Sequence, residues 1–242
     1  HAARSLDRSG IWDHDPFALT ARAQTHRERL NPIMSDDAPS NPAAQDAPAK
    51  RQRMKPGERR QQILQTLAQM LEQPGAERIT TALLAGRIGV SEAALYRHFA
   101  SKAQMFEGLI DFIEQSIFTL INQIAEREGD GATKAVRMVA VLLQFAAKNP
   151  GMTRVMVGDA LVFEHERLQQ RMTQFFDRVE SALKQVLRVE AQQRQSSTPT
   201  VDAQVRAAAL VGFAMGSLQR YARSGFKRSP LEHMDAALAL MV

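Results

Sequence analysis

The 242-residue chain contains no cysteine. That excludes a disulfide framework and a thiolate metal site, and it suits a reducing cytoplasm. Aromatic residues are scarce, at 6% with a single tryptophan. That tryptophan, Trp12, lies in a stretch without apolar periodicity and so supports no core. Long apolar runs are missing as well. The longest, Ala207 to Leu218, is about a dozen residues against the roughly 20 needed to cross a bilayer. No membrane partner is expected, and no targeting segment is visible in the first thirty-odd residues. There is no Gly-rich phosphate loop, no Gly-x-Ser-x-Gly and no His-Glu-x-x-His. An enzyme is not expected, and no cofactor is called for. Glu164-His165-Glu166 is the one tempting cluster. Neighbours on a helix point about 100° apart and do not converge on a metal, so no metal site is expected.

Acidic charge is in the minority. Lys and Arg number 31 against 26 Asp and Glu, a formal charge of +5. Such a balance fits a nucleic-acid partner once the charge is located. Strand alternation is hard to find, and helical spacing dominates, so the expected class is all-α.

The stretch 79–102, ITTALLAGRIGVSEAALYRHFASK, reads as two short helices around a tight turn. Leu83, Leu84 and Ile88 recur at helical spacing. Gly89 is a C-terminal stop, because glycine takes the left-handed conformation at no steric cost. Thr80 or Thr81 caps the first helix, and the free N–H groups beside it suit a DNA phosphate. Ser91 caps the second helix, with Glu92 in its first turn. Leu95 and Phe99 face a core, while Ala93, Tyr96 and Arg97 face elsewhere. A glycine turn between helices also fits an ordinary hairpin. The joint exposure of Tyr96, Arg97 and His98, with a basic run nearby, favours a helix-turn-helix that enters a major groove. Lys50, Arg51, Arg53, Lys55, Arg59 and Arg60 form that run, read as a phosphate-contacting arm. The candidate DNA contacts are Thr80, Thr81, Ser91, Ala93, Tyr96, Arg97, His98 and Lys102.

The pattern Val-Ser-x-x-x-Leu-Tyr-x-His-Phe-x-x-Lys, met at Val90, Ser91, Leu95, Tyr96, His98, Phe99 and Lys102, closely resembles the signature of the TetR family of dimeric bacterial DNA-binding proteins. The likeness extends through KNPGMTRVMVGDALVFEHERLQQRMTQFFDRVESALKQVLR and GSLQRYARSGFKRSP, which resemble the nucleoid occlusion branch of that family. The resemblance implies a homodimer on palindromic double-stranded DNA, cytoplasmic and nucleoid-associated. It also implies that the DNA-bound form engages the C-terminal tail of the division protein FtsZ and blocks septum assembly over the chromosome. By the same likeness, the tail groove lies between the fourth and fifth helices and involves Phe112, Lys148 and Asn149. Leu120 and Gln144 depart from the relatives there, which carry arginine and glycine. Phe112 fits a plain core position equally well. The competing reading is a ligand-gated TetR-type repressor with an enclosed apolar pocket.

Along the chain, 1–55 reads as a disordered, basic-ended extension, with Met34 to Asp37 resembling a translation start. Residues 56–100 read as the helix-turn-helix DNA-binding domain, and 101–242 as a helical dimerisation and partner-binding domain. Helices are expected over 56–73, from 101 or 102 to 126, and over 133–148, 153–157, 159–190, 201–224 and 230–241, with a flexible loop at 191–198. Ala208, Gly212 and Gly216 give the helix at 201–224 a small-residue face, read as a dimer interface.

Overall fold

The computed structural model describes residues 57–73, 79–127 and 129–242. Among these every regular element is helical. In chain order they are α1 (Glu58–Leu71), α2 (Thr81–Ile88), α3 (Glu92–Tyr96), α4 (Lys102–Glu126), α5 (Gly131–Lys148), α6 (Pro150–Met156), a 3-10 turn (Asp159–Leu161), α7 (Glu166–Gln193), α8 (Pro199–Arg223) and α9 (Met234–Ala239).

Local chemistry sets most of the starts. Side chains of Thr80, Ser91, Ser101 and Asp130 accept the free N–H groups opening α2, α3, α4 and α5. Each meets a donor that the helix itself leaves unpaired. Gly89 ends α2 at φ 77°, and its N–H returns to Ala85 and Gly86.

Burial then orders the helices. In α1, Ile63, Leu67 and Leu71 fall four apart and are fully buried. That stripe packs on α2, α4 and α6. α7 and α8 lie side by side, and α5 sits against α4, α7 and α8. One continuous core runs from Ile63 through Phe99 and Phe106 to Leu238. The helix-turn-helix therefore does not own a separate core. α4, buried at Met105, Leu109, Ile113 and Ile117, joins it to the rest.

Four expectations are corrected. The helix expected over 159–190 starts at Glu166, because Gly158 at φ 86° breaks the chain and 159–161 close only a 3-10 turn. Its far end runs on to Gln193, into the expected loop. Ala191 is buried there, and the Glu190 carboxylate holds Arg194 and Arg206. The last helix is only Met234–Ala239, preceded by turns and by His233 at φ 57°. Leu83 is 58% exposed rather than part of the apolar stripe. It is Leu84, one position on, that points inward. The expected extension at 1–55 and the break at Pro74-Gly75 lie outside the described residues.

Candidate nucleic-acid interface

The turn at Gly89 sets α3 across α2, and one surface collects the polar side chains of both. Thr80, Ser91, Ala93, Tyr96, Arg97 and His98 are all exposed, and Thr81 is half-buried. They are not independent. The Thr81 hydroxyl donates to Glu92 Oε2 at 2.6 Å, and the Tyr96 hydroxyl donates to Thr81 Oγ1 at 3.4 Å. Thr80 Oγ1 and Ser91 Oγ accept their cap bonds from Leu83 and Ala94. Each keeps its hydroxyl proton for a phosphate or a base.

The basic residues divide. Lys50, Arg51, Arg53 and Lys55 lie outside the described residues. Arg59 donates to Gln62. Arg60 is built into the head: its Nη1 donates to the carbonyl of His98 at 2.8 Å, and its guanidinium lies 4.0 Å above the Phe99 ring. Arg60 therefore braces the end of the reading helix. Lys102 is also engaged, its Nζ 2.5 Å from Glu164 Oε1. A phosphate reaching Lys102 has to compete with that carboxylate.

Lys102 begins a ladder of ion pairs that runs from α4 to the residues just before α7 and then to α7 itself. Arg167 meets Glu107, and Arg171 meets both Asp111 and Glu114. Partners about 60 positions apart leave no local signal in a sequence, so this ladder was not legible there. The Glu92–Thr81 bond escaped for a similar reason, since Glu92 at a helix start reads simply as a favourable charge.

The residues expected to line a tail groove lie on α4 and α5, which pack against each other. Phe112 is half-buried, with its ring centroid 6.1 Å from that of fully buried Phe145. Lys148 is exposed. Asn149 is 3% exposed, and its amide donates to the Phe145 carbonyl at 2.8 Å. Asn149 shapes the end of α5 rather than offering a surface. Leu120 is buried, and Gln144 on α5 is partly exposed.

The residues of the 164–166 cluster part company, though not as neighbours on one helix, since Glu164 and His165 precede the helix that Glu166 begins. Glu164 pairs with Lys102, His165 Nδ1 accepts the Arg167 N–H, and Glu166 bonds Gln170. On α8, Ala208, Gly212 and Gly216 are exposed beside Val201, Val205 and Met215. A cleft of about 490 Å³ lies between α6, α7 and α8, over Met156, Met172, Phe176 and Met215, and it opens to solvent. Among the described residues no helix is long and apolar enough to cross a membrane.

Residues 63–109 match the model of bacterial regulatory proteins of the tetR family. Residues 130–242 match that of the tetracyclin repressor-like C-terminal domain, SlmA-like. The chain is 55% identical over 178 residues to the nucleoid occlusion factor SlmA of Photobacterium profundum, covering 73% of this chain and 90% of that protein. Against SlmA of Vibrio cholerae it is 51% identical over 184 residues, covering 76% and 93%. Among solved structures, the fatty acid degradation regulator FadR of Bacillus halodurans aligns with a TM-score of 0.62 at 15% identity, over 78% of this chain and 96% of that one. The regulator PfmR of Thermus thermophilus aligns at 0.60 and 19%, over 75% and 94%. At such identities the structural likeness speaks for the fold alone.

Proposed function

The chain belongs to the SlmA family of TetR-type nucleoid occlusion factors, and from that membership we propose that it is a DNA-dependent inhibitor of cell division. It binds palindromic double-stranded DNA as a homodimer. While bound, it engages the C-terminal tail of FtsZ and prevents septum assembly over the nucleoid. It acts by binding rather than by catalysis.

One observation carries the reading: the likeness to these factors runs through the second half of the chain, beyond the helix-turn-helix that TetR-type regulators share. The geometry supports it. The hydroxyl of Thr80, which keeps its proton, and the imidazole of His98 are exposed and suited to phosphate oxygens, while Tyr96 bonds Thr81 and Thr81 bonds Glu92 beside them. Ser91, Ala93 and Arg97 stand at the helix edge nearest the bases. Phe112 offers a half-buried apolar ring to a peptide, backed by the Phe145 ring at the end of α5 that the Asn149 amide ties off. α4 runs from Lys102 beside the reading head to Phe112 and beyond. One rigid element thus spans both sites. The rival reading, a repressor gated by a small ligand, needs an enclosed pocket, whereas the cleft over Met172 and Phe176 is open.

Titration calorimetry of an FtsZ tail peptide against the protein–DNA complex tests the proposal. The peptide is expected to bind more tightly with specific DNA present, and to tighten DNA binding by the same factor, as coupling between two sites requires. Phe112→Ala is expected to remove the peptide's heat and leave DNA affinity nearly intact. No heat from the peptide, with DNA released on adding a small apolar compound, would support the ligand-gated repressor instead.

A further inference from the structure

An acidic side chain stands in the middle of the DNA-facing surface. Glu92 is exposed in the first turn of α3, the part of a reading helix that meets base edges first. Beside a phosphate backbone a carboxylate is repelled, so its presence on this surface needs an account. The structure adds a second observation. Glu92 is not free to swing away, because the Thr81 hydroxyl grips Oε2 at 2.6 Å and Tyr96 in turn bonds Thr81. Its other oxygen, Oε1, takes no hydrogen bond from a described residue.

We infer that Glu92 is a base-reading residue that selects cytosine at one position in each half-site. This rests on the proposed DNA binding and deepens it. An ionised carboxylate has no proton to give and only accepts. In the major groove, guanine presents O6 and N7 and thymine presents O4, all acceptors that would face it with like polarity. Cytosine presents its 4-amino group as a donor with no acceptor beside it. Adenine also offers an amino group, but next to the N7 acceptor, which a carboxylate disfavours. The free oxygen therefore prefers cytosine. The Thr81 bond fixes the rotamer in advance, so little side-chain freedom is lost when the contact forms.

Selection from a random DNA pool tests this, using the full chain and Glu92→Gln. Glutamine keeps a carbonyl for Thr81 but adds an amide donor, which pairs well with adenine N7 and N6. The wild type is expected to enrich a palindrome with one cytosine per half-site that E92Q no longer prefers, with a shift toward adenine. Discrimination at that position is expected to change by roughly 5- to 100-fold, and elsewhere little. If E92Q keeps every wild-type preference and only gains or loses affinity uniformly, Glu92 is merely a strut between α2 and α3 and the inference falls. If E92Q binds no DNA, wild-type protein on sites carrying 2-pyrimidinone, which lacks the 4-amino group, decides. Binding should drop at one cytosine per half-site, and Glu92→Ala should lose no more there. A drop at no position overturns the inference. A wild type that enriches no sequence would overturn the DNA reading itself, and this inference with it.

Discussion

Glu72 shows how a single carboxyl group feels the seam between the reading head and the rest. It caps α1, and its pKa is pushed above the usual value of 4.5 by burial, with the Gly151 N–H pulling the other way. Burial, and after it the same carboxylate, raise the pKa of Tyr221, whose hydroxyl bonds the Ala147 carbonyl near the end of α5. A raised folded-state pKa means that folding favours the protonated form. Its stabilising contribution is present below about pH 4.5 and is lost as pH rises through the raised value. Glu72→Gln is therefore expected to melt slightly higher than wild type at pH 7, with the gap closing in acid. Glu72 is still partly exposed, so the gain should stay under about 1 kcal/mol, a few degrees at most. Thermal melts at pH 7 and pH 4 check this, and a wild type more stable than E72Q at pH 7 would reverse the assignment. Asp130 has the opposite sign. Thr133 donates to it through backbone and hydroxyl and lowers its pKa, so its contribution is lost only as pH falls through that lowered value. Residue-level chemistry of this kind was legible where it was local. The caps at Thr80 and Ser91 announce themselves within four residues, whereas Lys102 meeting Glu164, 62 positions away, needed the fold.

At the scale of elements, two glycines make opposite predictions. Gly151, near the start of α6, lies where α1 crosses. A Cβ added there would sit 2.0 Å from the carbonyl oxygen of Ala68 and 3.2 Å from Leu71 Cβ. The first is a backbone atom and cannot turn aside, so Gly151→Ala has to push α1 off α6. A cost of about 1–3 kcal/mol is expected. Gly86, inside α2, meets nothing within 4 Å, and Gly86→Ala is expected to stabilise by up to ~1 kcal/mol through helix propensity. Denaturant melts of the two variants check the pair, and equal effects would mean that α1 and α6 are not in close contact. Neither sequence neighbourhood distinguishes these glycines. Helix existence was legible throughout, because apolar residues recur at three and four in every long segment. The ends were not. The run from Asp159 to Arg167 contains good helix formers with apolar residues among them, yet Val162 and Phe163 stay exposed. Composition likewise hid the end of α7, where buried Ala191 and the Glu190 ion pairs carry a Gln-rich segment on as helix.

For the whole molecule we propose the exposed flank of α8 as the contact between copies. A Cβ at Gly212 or Gly216 would touch no other described residue, and Val201, Val205 and Met215 stand exposed beside them. Glycine in a helix interior costs up to ~1 kcal/mol relative to alanine, and no contact among the described residues offsets that cost here. A bare backbone surface gains stability only when another surface comes close. DNA supplies a reason for one to come. Half-sites repeat about one helical turn apart, some 34 Å, and two reading heads hold that spacing only if their supports are fixed to each other. A second copy packed on α8 by a two-fold axis does this with the same patch on both sides. Gly216→Glu would then bury two carboxylates against each other and split the pair, while leaving each chain's own packing untouched. The variant is expected to sediment as a monomer at micromolar concentration, to keep its helical circular dichroism, and to melt without dependence on concentration. Its affinity for one half-site should be unchanged. Its affinity for the full palindrome should fall by roughly 10²- to 10⁴-fold, because the second head loses the effective concentration that tethering gave it. A variant that still sediments as a dimer and still binds the palindrome tightly would place the contact between copies somewhere other than α8.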